Sequence, residues 1–285
     1  MSDLEQGHGD SWDTIYEDMD TLISFIPTAI SQATEVAGYA KVLYQDYDRE
    51  ASIEQIIGII YPLNPNVGCL SLIVAGIQKN EIVSFYPHIA NGVELELTLC
   101  EIKEFDNLIE AFVIAEDKNG IVYRFLDTLY FANKTNYKIG ESYLFRLSGL
   151  ARDVQIVNET TFTMNEEQTL SFLAKIGKLP SENEPNKPLV FDMSGMKAFF
   201  QTYDALPSLT EFQSPIKAIM STQIHDIDFY EVAIELTDTL ADQNKVLPLY
   251  IRQDLLENLL QQDIPIKGQF FLQGYLVNEK HDSSS

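Results

Sequence analysis

The stretch "GQFFLQGYLV", Gly268–Val277, alternates residue by residue. Phe270 and Leu272 share one face, Phe271 and Gln273 the other, as successive side chains of a β-strand do. Gly274 interrupts the run. A glycine inside a strand marks a bulge or a place where two backbones come close. The chain writes nearly the same phrase earlier. "YLFRLSGLA", Tyr143–Ala151, alternates around Gly149 and follows its own turn glycine, Gly140. Two such endings read as two similar β-regions, each closed by a glycine-bearing last strand. The copies do not superimpose without gaps, since Gly140 lies nine residues before Gly149 and Gly268 six before Gly274.

Upstream of the first ending, "NGVELELTLCEI" follows an Asn-Gly turn and sets Val93, Leu95, Leu97 and Leu99 against Glu94, Glu96 and Thr98. That is a half-buried strand. "LIEAFVIAE" and "IVYRFLDTLYF" read as the next two strands, with "KNG" as the turn between them. The second region repeats the plan with "PIKAIMSTQI", "FYEVAIELTD" and "KVLPLYI", the last two joined by an "ADQN" turn. "RQDLLENLLQQ" then gathers Leu255, Leu256, Leu259 and Leu260 into an expected short amphipathic helix before the closing strand. Between the regions, Glu166–Lys175 reads as a helix, 177–188 as a polar linker or long surface loop, and "SGMKAFFQTYDAL" as a second short helix.

Three strands, a helical connection and a fourth strand resemble an oligonucleotide-binding (OB) type barrel, in which a helix sits between the third and fourth strands. An SH3-like or Sm-like barrel is the competing pattern. The resemblance is one of fold pattern and brings no functional motif. The expected fold class is mainly β or α+β: two small antiparallel β-barrel-like domains, OB- or SH3-like, with an N-terminal helical or α+β segment. Residues 1–90 form that segment, 91–176 the first barrel, 177–210 the linker and short helix, 211–280 the second barrel, and 281–285 a disordered tail.

Within the N-terminal segment, residues 1–10 read as frayed and Asp10–Ile30 as one amphipathic helix. Ser11 or Asp13 is placed to cap it, and Pro27 to end or kink it. Val36–Tyr86 reads as α+β: "EVAGYAKVLYQDY" and "SIEQIIGIIYPL", the latter stopped by Pro62 and Pro65, support both helix and strand, while Glu81–Ile89 reads as a strand with Pro87 at its edge or end.

The chain carries 43 acidic and 19 basic residues, a net charge of −24. Affinity for nucleic acid comes largely from Lys and Arg displacing counterions. A field this negative disfavours duplex nucleic acid and anionic membrane surfaces. It favours a protein partner with a basic surface, approached with electrostatic steering. No apolar run reaches the roughly 18 residues that span a bilayer. No basic-then-apolar leader is visible, and the two cysteines, Cys69 and Cys100, make no disulfide framework. These features point to the cytoplasm.

Chemistry-bearing patterns are sparse. There is no Walker loop, no G-x-G-x-x-G and no G-x-S-x-G. Cys69 with His88 is the weak nucleophile pairing, set against a buried core thiol. "HDIDFYE" concentrates His225, Asp226, Asp228 and Glu231, and His225, Asp226 and Asp228 are its weak metal candidates. "YQDYDRE" puts Asp46, Asp48 and Glu50 on one strand face, set against a polar loop. Tyr123, Phe125, Tyr143 and Phe145 fall in phase opposite Arg124 and Arg146, a core pattern rather than a base-stacking platform. The functional expectation is a non-enzymatic, acidic, cytoplasmic interaction protein without a cofactor, of the adaptor, immunity-type inhibitor or polyanion-mimic kind. Glu94, Glu96, Asp226 and Asp228 are its expected partner contacts. The alternatives are an OB-like protein binding single-stranded nucleic acid or a small ligand, and a metal-dependent hydrolase.

Overall fold

The computed structural model describes residues 9–76, 79–178, 188–201, 208–237, 245–256 and 260–277. The expected disordered tail, the "ADQN" turn and most of the linker lie outside these residues. So do residues 1–8.

The expected single N-terminal helix is two pieces, a 3₁₀ turn at Gly9–Thr14 and α1 at Met19–Gln32. The break falls at Asp18, whose backbone is extended and whose carboxylate accepts the Asp20 N–H at 3.0 Å. Asp18 therefore caps the helix, not Ser11 or Asp13. Pro27 does not stop α1, which continues five residues beyond it. Its ring lies on the exposed side, while Leu22, Phe25 and Ala29 make the buried stripe that holds the helix down. Arg252 pins this segment from the far end of the chain, with Nη2 2.6 Å from Glu17 and Nε and Nη2 each 2.7 Å from Asp254.

The ambiguous stretch that follows is all strand: β1 Glu35–Tyr44, β2 Ser52–Pro62, β3 Val67–Val74 and β4 Glu81–Ile89. They pair in order as one antiparallel sheet. Isoleucine and valine dominate these runs, and their branched side chains suit a pleated surface. Pro62 ends β2, and Pro87 sits on β4, an edge strand where a missing N–H is tolerated. The inner face packs Ile56, Leu70, Leu72, Val74 and Tyr86 against Ile109 and Phe131.

The rest of the chain supplies β5 Val93–Glu104, β6 Ala111–Glu116, β7 Val122–Asp127, α2 Tyr130–Asn133, β8 Ser142–Ile156, β9 Thr161–Thr163 and α3 Glu166–Lys175. It continues with β10 Val190–Asp192, β11 Ala198–Gln201, β12 Leu209–Ile224, β13 Ile227–Ile234, β14 Leu247–Arg252 and β15 Pro265–Leu276. Asn165 and Gln168 form a capping box on α3, the helix expected there. Two expected helices differ. Ala198–Gln201 is a strand whose residues pair with Thr210–Gln213, so a ladder partner overrides a short helical pattern. Only a 3₁₀ turn at Gln253–Leu255 is present at the start of "RQDLLENLLQQ", and 257–259 lie outside the described residues.

The expected pair of separate small barrels gives way to one nine-stranded mixed sheet. Its ladder closes twice. One circuit runs β5–β6–β7–β15–β8 and back to β5. The other runs β12–β13–β14–β8–β15 and back to β12. The two closing strands of the sequence, β8 and β15, belong to both and pair antiparallel with each other. Aligning Gly149 with Gly274 brings "FRLSG" onto "FFLQG", so both strands carry F-x-L-x-G. Gly149 pairs with Leu272 on one side and, in parallel, with Leu249 of β14. Gly274 pairs with Leu147 and, in parallel, with Asp127 of β7. The pairings are related by an approximate two-fold. One core serves both circuits, with Phe125, Phe145, Leu147, Leu249, Phe270 and Leu272 in the same cluster.

Candidate interaction surface

The residues singled out for chemistry are dispersed by backbone geometry. His225 and Asp226 form the two-residue turn between β12 and β13, with φ of 49° and 67°. That is the left-handed conformation of a tight hairpin turn. The turn sends His225 toward the N-terminal segment. Its Nδ1 lies 2.7 Å from the Tyr16 hydroxyl, and its ring centroid is 4.2 Å from that of Phe25. Asp228 instead accepts from Gln223 Nε2 at 2.9 Å. Glu231 accepts from Asn91 Nδ2 at 3.0 Å and Tyr250 OH at 2.9 Å, with Asn66 Nδ2 at 3.4 Å. The metal set His225, Asp226 and Asp228 is thus not assembled. Among the described residues no group of three or more His, Cys, Asp or Glu is gathered as a metal ion needs. Asp226 lies in the turn itself and Asp228 on the strand after it, which keeps their side chains on separate partners.

Cys69 and His88 lie on neighbouring strands but point to opposite faces of the sheet. His88 turns inward to Thr128 Oγ1 at 2.9 Å, and Cys69 packs in the outer cluster with Trp12. Burial drives the thiol pKa far up, away from the nucleophilic thiolate, and pushes His88 down to about 4. Tyr123, Phe125 and Phe145 are fully buried in the main core, with Tyr143 packed against it.

The expected partner contacts fall at two places. Glu94 and Glu96 lie on β5, where the Glu94 carboxylate is held by Arg146 Nη2 at 2.5 Å and Glu96 is exposed. Asp226 and Asp228 are exposed at the β12–β13 hairpin. No described hydrogen bond or ion pair joins the two pairs.

A different surface stands out, the outer face of the β1–β4 sheet. One end is covered. Trp12 stacks on Phe85 with ring centroids 4.9 Å apart and donates Nε1–H to the Phe85 carbonyl at 2.9 Å. Phe25 of α1 lies edge-on to Tyr61. The other end is open. Tyr39, Ile57, Ile73 and Ile82 stand in register, one per strand. Tyr39 is 74% exposed and Ile82 49%, while Ile57 and Ile73 are half-buried. Leu43 and Ile53 form a second exposed pair beside them, Ile53 at 67%. Apolar side chains on both faces of a strand ordinarily mean cover on both faces. Among the described residues the inner face has it and half of the outer face does not.

On the opposite side of the sheet, around the inner-face residues Tyr44 and Val74, the strand ends are acidic. Asp46, Glu50, Glu54 and Glu81 line a cleft of about 600 Å³ together with Arg49 and Lys79. Arg49 lies 3.8 Å from Asp46 and 3.5 Å from Glu81, so its charge is largely answered within the cleft. The sequence carried a signal for the open outer face. In "SIEQIIGII", Ile53, Ile57 and Ile59 alternate outward against Ile56 and Ile60, an apolar residue count too high for a strand with one wet face.

No described helix is long and apolar enough to cross a membrane. Comparison with protein families, with curated proteins and with solved structures finds no match for this chain.

Proposed function

We propose that this chain is a non-enzymatic interaction protein that works in the cytoplasm and binds a protein partner with a basic surface. The observation that carries the reading is the half-covered outer face of the β1–β4 sheet, where Tyr39, Leu43, Ile53 and Ile82 are exposed. Contiguous exposed apolar surface rimmed by polar residues marks interaction sites. The net charge of −24 supports a basic partner by long-range attraction. The larger sheet serves as scaffold. Each of its circuits has five strands and a helical segment, α2 between β7 and β8 in one and the Gln253–Leu255 turn between β14 and β15 in the other. In the second circuit that is the third-to-fourth position when β8, supplied from earlier in the chain, is counted last. That order supports reading them as two OB-type barrels that share β8 and β15. The expected contacts Glu94, Glu96, Asp226 and Asp228 then act as outlying acidic charge that steers approach rather than as the docking centre.

A photo-crosslinking side chain at position 39 tests this in the full chain, with one at exposed Met220 as control. The expected product is a heteromeric adduct to a basic protein at position 39 alone. It weakens as salt is raised and is lost when Ile82 is changed to Asp. Equal labelling at both positions, or an adduct indifferent to Ile82→Asp, overturns the reading.

A further inference from the structure

We infer that residues 9–32 are a releasable strap. They sit as an intramolecular ligand across β13, β14 and the covered end of the small sheet, and come away as a unit while both sheets stay folded. The strap is independent of whatever binds the open end of that sheet.

The seat is built from both sheets. Phe229 pairs with Arg252 and Glu231 with Tyr250 across β13 and β14, so these four share one face. That face is the outer one, because the alternate residues Tyr230, Val232, Leu249 and Ile251 lie in the main core. Phe229 and Tyr250 are fully buried in a cluster with Trp12, Ile15 and Tyr16 of the strap and Cys69 of β3. On the barrel reading above, β13 and β14 are the second and third strands of their circuit, the face on which OB-type barrels take their ligands. Only that placement rests on the barrel reading.

Charge matches seat to strap. Acids outnumber Lys and Arg 43 to 19 in this chain, yet the seat presents Arg152, Arg252 and His225. Each meets a polar group of the strap. Glu17 lies 2.6 Å from Arg252 Nη2, the Tyr16 hydroxyl 2.7 Å from His225 Nδ1, and Asp13 4.0 Å from Arg152 Nε.

The attachment suits release. The Ile15 and Tyr16 N–H groups donate to the Trp12 carbonyl and Leu22 N–H to that of Asp18. Among the described residues no backbone hydrogen bond runs from the segment to a strand, so release breaks no rung of either sheet. It leaves no buried charge alone either. Arg252 keeps Asp254, with Nε and Nη2 each 2.7 Å from the carboxylate, and the Tyr250 hydroxyl keeps Asn91 and Glu231. A cleft of about 340 Å³ lies between Ile15, Tyr16 and Thr21 on one side and Ile227 and Arg252 on the other, so the fit is incomplete at that edge. Side-chain contact alone holds the strap, and units held in this way open below the free energy of global unfolding.

Cys69 makes release measurable, because its thiol is buried in the strap's cluster while Cys100 is exposed. The full chain is alkylated with iodoacetamide over a urea series, and each cysteine is read separately by peptide mass. The test variant carries Asp13→Lys and Glu17→Lys, and Glu96→Lys, at another exposed position, is the control. A synthetic peptide of residues 9–32, which contains no cysteine, is the competitor. Cys69 is expected to react through an opening far less dependent on urea than global unfolding, because release exposes little surface. The double variant reacts about tenfold faster, the scale of two surface ion pairs turned repulsive, and the control is unchanged. The peptide slows Cys69 by refilling the seat and leaves Cys100 alone. Cys69 reactivity that tracks global unfolding, a double variant that behaves like the control, or a peptide without effect each overturns the strap. Crosslinking from position 39 does not report on the seat, so the strap and the function proposed above can fall separately.

Discussion

Gly274 of β15 stands opposite Leu147 of β8, so close that a Cβ at position 274 collides with the Leu147 side chain and lies 2.8 Å from the Arg146 carbonyl oxygen. The mirror-related Gly149 meets softer neighbours. A Cβ there lies 2.8 Å from the Phe270 ring and 3.0 Å from the Leu249 side chain. Overpacking a core costs typically about 1–3 kcal/mol. Gly274→Ala is expected at the upper end, because a backbone carbonyl cannot rotate aside, and Gly149→Ala below it. Urea unfolding is the measurement, with midpoints lowered and the slope unchanged. The double variant should depart from additivity, since both residues press on the β8–β15 seam. Two independent barrels would give additive losses.

Trp12 is the single tryptophan and is 2% exposed. Its emission is expected at short wavelength in the native state, shifting to the red as the N-terminal segment leaves the sheet. Trp12→Ala removes the stack on Phe85 and is expected to cost about 3–5 kcal/mol, the range for a large aromatic truncated in a core. Hydrogen exchange should rise first in α1 and at the β3–β4 end that Trp12 covers. Unchanged protection there contradicts the role assigned to this ring.

Tyr250 of β14 ties the larger sheet to the β4–β5 connection. Its hydroxyl lies 2.9 Å from Asn91 Oδ1 and 2.9 Å from Glu231 Oε2. Tyr250→Phe keeps the packing and removes the donor to a carboxylate, a loss of about 1.5–3 kcal/mol for a charged partner. Asn91→Ala should cost less in the Tyr250→Phe background than in wild type. A double-mutant cycle with a coupling of at least about 0.5 kcal/mol is expected for residues in one network.

Two buried groups tilt stability in opposite directions with pH. Burial pushes the Asp127 carboxyl up to about 7, against the lowering effect of the Tyr137 hydroxyl and the Leu129 N–H. Its stabilising effect is present below the ordinary value of 3.8 and is lost as pH rises through 7. Burial lowers His88 from 6.5 to about 4, so its effect is present above 6.5 and is lost as pH falls through 4. Between those limits each group contributes a slope of about 1.4 kcal/mol per pH unit, with opposite signs. The pair therefore adds almost no net slope in wild type. Removing His88 by His88→Asn leaves the Asp127 slope, and stability rises as pH is lowered from 6.5 to 4. Asp127→Asn should show the reverse. Denaturant midpoints at three pH values across the window decide it. Parallel lines for both variants refute the assignment.

The sequence alone determined the strands whose pattern is written locally. "NGVELELTLCEI" announced β5 through strict alternation after an Asn-Gly turn, and Glu166–Lys175 read as the helix that became α3. It also determined that Tyr123, Phe125 and Phe145 belong to a core and that Gly149 and Gly274 mark close approach, because period and side-chain volume are local properties. Only the tertiary structure decided which strands pair. β8 and β15 are separated by more than a hundred residues, and nothing in an alternating run says whether its edge meets its own repeat or the other. The same holds for the surface. "SIEQIIGII" declares apolar residues on both faces, but exposure of Ile53 depends on where Trp12 and α1 come to rest. The partner of His225 was likewise a tertiary matter: the sequence marks a polar segment around it, but only the fold brings its ring from the β12–β13 turn against Tyr16.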